Sequence, residues 1–202
     1  MLTFIKQRKE LVIFIFILVF VGGYVATSFI DGSGGVPEEF SNARMQGALI
    51  AQGIVTLSSE TAQDIKRIGE MESTGAFPQA RELTSQAVTR SREIRDRAML
   101  LSQEVEKMTR SLDSIQPPQA RQAALEAITS WLTLISRLIN YSGELGQLLD
   151  ELNRRLSGAP QDHRISSLIE EINAEARAIN SFNDQARQAI ERFDKFLREQ
   201  AG

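Results

Sequence analysis

Proline stands at positions 37, 78, 117, 118 and 160 and nowhere else in the chain. Pro37, Pro78, Pro118 and Pro160 follow one another at intervals of 41, 40 and 42 residues. The pyrrolidine ring suits the first turn of a helix, where the missing N–H has no partner to lose, and disrupts a helix interior. Each proline also follows a break: Gly34-Gly35, Ser73-Thr74-Gly75, Ser114-Ile115-Gln116 and Ser157-Gly158. The spacing therefore predicts four helices of similar length, each about 50–60 Å long at ~1.5 Å per residue.

Hydrophobic periodicity supports that division. Ile94, Ala98, Leu101, Val105, Met108, Leu112 and Ile115 alternate steps of four and three, a heptad seam. The third segment continues in kind from Ala124 through Ile128, Trp131, Ile135 and Leu138 to Leu156, and the fourth from Ile165 through Ile172, Ile179 and Ile190 to Leu197. The first is looser, with Phe40, Ile50, Ile54, Leu57, Ile65 and Ile68. No stretch shows the strict alternation of a strand. Short connections make neighbours antiparallel, and four seams facing inward hide one another from water. The expected fold is all-α: an up-down-up-down antiparallel four-helix bundle with coiled-coil-like packing. Seams shared between two chains, as a homo-oligomer, are the alternative.

Ahead of the bundle, Leu11 to Ile30 is a run of twenty uncharged residues. A helix of that length matches the hydrocarbon core of a bilayer. Lys6, Arg8 and Lys9 precede it, while Asp31, Glu38 and Glu39 follow it. The positive-inside rule then keeps the N-terminus in the cytoplasm and exports the rest. A cleaved signal peptide, with an apolar region from Leu11 to Val21 and small residues at Ala26–Ser28, is the rival reading; the apolar run continues through Phe29 and Ile30, which favours an uncleaved signal anchor. The expected organisation is a cytoplasmic N-terminus (1–10), a single-pass transmembrane helix (11–30), a flexible linker (31–36) and an extracytoplasmic bundle (37–202), with helices at about 37–72, 78–115, 117–157 and 160–200. Absence of cysteine fits a bacterial envelope protein, located at the cell membrane with its bundle outside.

Composition narrows the chemistry. Without cysteine, thiolate metal sites and cysteine nucleophiles are excluded, and the one histidine, His163, can build no two-imidazole site. No Glu-x-x-His, Gly-x-Ser-x-Gly or phosphate-binding glycine loop occurs. A net charge of −3 argues against a nucleic-acid partner. The expectation is a protein without catalytic residues, cofactor or metal.

Two residue groups stand out as candidates for binding. Arg90, Arg92, Arg95 and Arg97 form the densest basic cluster, interleaved with Glu93 and Asp96. Such a cluster laces helices together by salt bridges or docks an acidic partner or lipid headgroups. Ala43, Gly47 and Ala51 form a small-residue ridge on the first helix, and Trp131 on the third lies as far past Pro117 as Ala51 does past Pro37. The indole either fills the volume the small residues leave or, with Ile135, Ile54, Gly47 and Ala51, lines a ligand cavity. Ser91, Ser142 and Asn183 interrupt the seams as polar register markers.

In architecture, the anchor and bundle together are similar to the exported four-helix sensor domains of bacterial chemoreceptors. The chain departs from them after Phe196-Leu197-Arg198, where no second membrane helix or output domain follows. Two functions are therefore expected in competition. One is a membrane-anchored interaction or scaffold module, held by lipid through residues 11–30 and engaging another membrane or envelope protein. The other is an exported ligand-binding module that signals through a partner membrane protein.

Overall fold

A computed structural model describes residues 36–158 and 164–201. The apolar run 11–30, expected from the sequence to span a membrane, the expected linker after it, Pro160 and His163 all lie outside those residues. Among the described residues there is no strand, and no helix is long and apolar enough to cross a membrane.

Four long helices carry the chain: α1 (Glu38–Ser73), α2 (Phe77–Arg110), α3 (Pro118–Leu156) and α4 (Arg164–Ala201). Pro37 caps α1, and Pro78 and Pro118 sit in the first turns of α2 and α3. The α1–α2 turn closes through backbone bonds from Gly75 N–H to the Glu72 carbonyl and from Ala76 N–H to the Met71 carbonyl. This pairing needs a left-handed residue between the helices, and Gly75 supplies it at φ +78°. One boundary differs from the sequence reading. The second helix stops at Arg110 rather than near 115, and Leu112–Ser114 forms a 3₁₀ turn before the cis Gln116–Pro117 bond. Pro117 disfavours helical geometry at Gln116, so α2 cannot run on as one helix into α3. Leu112 and Ile115 nevertheless remain buried, delivered to the core by the turn.

Side-chain pairs fix the helix directions. Arg90 of α2 bonds Asp64 of α1, Glu126 of α3 bonds Arg192 of α4, and Arg44 of α1 bonds Asp194 of α4, so all three pairs of helices run antiparallel. Glu72 near the end of α1 bonds Arg155 near the end of α3, so these two run the same way. The order is up-down-up-down. The heptad positions read from the sequence in α2, α3 and α4 are buried throughout. On α1, Ile50 and Leu57 are only half-buried, consistent with its looser pattern.

The seams are not equivalent. α1 packs along α2, α2 along α3 and α3 along α4, whereas the backbones of α1 and α4 stand further apart. Long side chains cross this wider seam at one end. Both guanidinium nitrogens of Arg44 donate to the Asp194 carboxylate, at 2.9 and 3.0 Å, with both side chains largely buried. The same guanidinium lies 5.9 Å from the Phe193 ring centroid, and Phe40 meets that ring at 5.4 Å. A bidentate pair, a cation–π contact and an aromatic pair thus clamp the start of α1 to the end of α4.

Candidate interaction surface

The arginine cluster is split by the fold. Arg90 and Arg97 are seven residues apart on α2 and both face α1. Arg90 donates to Asp64 and sits 3.4 Å from Glu60. Arg97 bonds Glu93 at 2.7 Å and lies across Gly53 of α1, where a Cβ would collide with the guanidinium. Asp64 is almost wholly buried, and its carboxyl is raised above the usual range by burial, with Arg90 and Arg67 pulling the other way. Arg92 and Arg95 point elsewhere. They are exposed on the side of α2 away from α1 and make no ion pair among the described residues. The four arginines were grouped by sequence proximity; helical phase separates them, and the acidic pair Glu60 and Asp64, four residues apart on α1, was the signal for the α1-facing side.

The candidate cavity residues lie in the core. Trp131 is 2% exposed, and Ile54, Ala51, Ile135 and Gly47 are buried with it. The Glu72–Arg155 pair sets an offset of 83 residues between α1 and α3, which brings Ala48 level with Trp131 and keeps Ala51 within one turn of it. The large indole is therefore at the height of the small residues of α1 within the buried interior.

The polar seam residues are also inside. Ser91 and Ser142 donate to the carbonyls of Val88 and Ile139 on their own helices, and Asn183 is buried. Ser91 also abuts Gly146 of α3, its Oγ 3.8 Å from where a Cβ would stand. Tyr141 is buried against Ser58, and burial raises its phenol far above the ordinary value.

Further charged groups gather at the α3–α4 seam, where Arg137 bonds Glu175 at 3.1 Å. Glu144 stands nearby, its carboxyl pushed up to about 7 by burial and by Glu175 and Glu171, against a lowering by Arg137. An open cleft at the other side of the bundle lies between α1 and α2, lined by Glu38, Glu39, Asn42, Gln46, Glu104 and Lys107. Among the described residues, no three histidine, aspartate or glutamate side chains are placed to hold a metal ion.

One asymmetry separates the surfaces of the rod. The large apolar side chains left exposed are Met45 and Leu49 on α1, Phe77, Met99 and Leu100 on α2, and Leu125 and Leu132 on α3. Among the described residues, α4 contributes none. Phe77, Met99 and Leu100 stand on α2 itself and Leu125 and Leu132 on the α2-facing stripe of α3, whereas Met45 and Leu49 follow Arg44, which reaches α4, and lie away from α2. Sequence reading missed this surface because the seams absorb most of the periodic signal. Leu125, Leu132 and Ile139 nevertheless repeat at seven residues just outside the third seam. Comparison with known proteins finds no family model, curated protein or solved structure that matches the chain.

Proposed function

We propose that the chain is a membrane-anchored extracytoplasmic interaction module, acting through its surface and not through catalysis. The observation that carries this reading is the set of exposed large apolar side chains on α2 and on the α2-facing stripe of α3, with none among the described residues of α4. Exposed apolar groups rimmed by polar ones are a signature of protein contact surfaces. The charge-free run 11–30 supports a lipid tether, with Lys6, Arg8 and Lys9 holding the N-terminus in the cytoplasm. Asp31-Gly32-Ser33-Gly34-Gly35 supports a flexible joint that lets the bundle reorient toward a neighbouring membrane or envelope protein. Tethering raises the effective concentration of such a partner, so a weak contact suffices.

The test is chemical crosslinking of the full chain in its native membranes, with the linked peptides identified by mass spectrometry. The expected result is recovery of the chain with the membrane, resistant to carbonate extraction, and linked to another envelope protein. Removing residues 1–30 should reduce those links by about 10²-fold through loss of effective concentration. Recovery in the soluble fraction, or links unaffected by that deletion, would contradict the tether; a chain with no protein link would contradict the interaction role.

A further inference from the structure

We infer that the outer groove between α2 and α3 binds an amphipathic helix of a partner protein, one with an apolar stripe that ends in a cluster of acidic residues. This inference rests on the interaction-module reading and names the site and the chemistry of its occupant. Leu125, Leu132, Ile139 and Gly146 follow one another at seven residues, so they share one stripe of α3. Gly146 meets Ser91 of α2, which places that stripe along the α2 seam. Leu125 and Leu132 are 44% and 49% exposed, so the stripe emerges on the outer rim of the seam and is not consumed by the core. Because the helices are antiparallel, eight residues past Ser91 brings Met99, 53% exposed, level with residue 138 and hence with Ile139.

The stripe from Leu125 to Ile139 is about 21 Å long at 1.5 Å per residue, two heptads of a docked helix. A row of apolar groups at heptad spacing beside an antiparallel second helix receives leucines at three- and four-residue spacing. Charge then sets the occupant and its polarity. Arg95 and Arg92 precede Met99 on α2 by one and two turns, are exposed, and make no ion pair among the described residues. Further along, the α2 rim is already neutralised by the Glu106–Arg110 pair. Arg92 and Arg95 therefore set two cations against Asp96 at one end of the groove, beyond Ile139, an excess of positive charge. A helix whose leucines lie on Leu125, Leu132 and Met99 would meet that end with glutamate or aspartate, and forked guanidinium–carboxylate pairing would fix its direction. A lipid surface fits less well: headgroups answer the arginines, but a flat interface does not enter a linear groove between two rods.

The chain has no cysteine, so single thiols can be placed at will. Full-length Leu132→Cys and Met99→Cys chains would carry a benzophenone maleimide, be irradiated in native membranes and have the linked segments sequenced by mass spectrometry. The expected segment is a helix former with apolar residues three and four apart and acidic residues at one end. Adding Arg92→Glu and Arg95→Glu should cut its yield at least tenfold, whereas Arg92→Lys with Arg95→Lys should retain most of it. Helical circular dichroism and melting of the charge-reversed chain should be unchanged, since neither arginine makes an ion pair among the described residues. Linkage to a second copy of this chain, to lipid, or to a segment without acidic residues would overturn the inference, as would a yield indifferent to charge reversal. A Gln188→Cys probe on α4 separates this failure from the wider one. Protein adducts only from Gln188→Cys refute the groove and leave the interaction module standing; no protein adduct from either face refutes both.

Discussion

At the scale of single residues, the two kinds of arginine on α2 make opposite commitments. Arg90 compensates a carboxylate that is buried between α1 and α2, so removing it leaves an uncompensated charge in poor solvent. Arg90→Ala should lower the unfolding free energy by about 2–4 kcal/mol, read from urea denaturation. Arg95→Ala should stay within about 0.5 kcal/mol of the parent, as expected for an exposed side chain that makes no ion pair among the described residues. Equal losses would show that the fold does not divide the cluster. Glu144 makes a third case, through its proton. Its folded value of about 7 lies above the ordinary 4.5, so between those values the folded chain binds a proton that the unfolded chain releases. Stability from this group is therefore fully present below about pH 4.5 and is lost as pH rises through 7. Glu144→Gln should flatten that part of the stability–pH curve and stabilise the fold at pH 8 by on the order of 1 kcal/mol after solvent screening. An unaltered slope between pH 5 and 8 would place the titration elsewhere.

At the scale of helices, the weak direction of the bundle is the α1–α4 seam, and it depends on one cluster. Arg44, Asp194, Phe40 and Phe193 tie together two helices whose backbones otherwise keep their distance. Asp194→Ala should cost about 3 kcal/mol. Amide exchange should accelerate most in the first turns of α1 and the last turns of α4, with α2 and the middle of α3 little changed. Uniform acceleration would mean that the clamp is no more local than any core contact. The helices themselves were legible in the chain because two independent signals coincide: prolines at helix starts and apolar residues at heptad spacing. Ile94 to Met108 and Ala124 to Leu156 could be assigned to the core without coordinates for that reason. The early end of α2 was not legible, since Leu112 and Ile115 keep the heptad rhythm while leaving the helix. Pattern reports which side chains are buried, and here a 3₁₀ turn buries them as well as a helix does.

At the scale of the whole molecule, the seams close within one chain, and α4 presents a different surface from the other three helices. A fragment beginning at Gly35 should be soluble, strongly helical by circular dichroism and cooperative in unfolding; a substantial β signal would contradict it. Leu145, fully buried on α3, is a stringent probe of that interior. Leu145→Asp should abolish the cooperative transition, because an unpaired carboxylate cannot be accommodated there. Unchanged melting would refute the packing of α3. The candidate surface was less legible than the core. Which arginines pair inward depends on the phase of α2 against α1, and which leucines remain outside depends on how closely α2 and α3 approach. Both are relations between helices, and a single chain encodes them only through packing that must be seen assembled.

On the function proposed above, a tethered bundle outside the membrane meets its partner on the side centred on α2. The most direct measurement of this is the rate at which a membrane-impermeant maleimide labels Leu132→Cys and Gln188→Cys in intact cells, compared with the purified full-length chains. Both thiols should be labelled from outside, with Leu132→Cys slowed several-fold in cells relative to the purified chain and Gln188→Cys unchanged. Labelling only after the cells are opened, or equal rates for Leu132→Cys in the two settings, would contradict it.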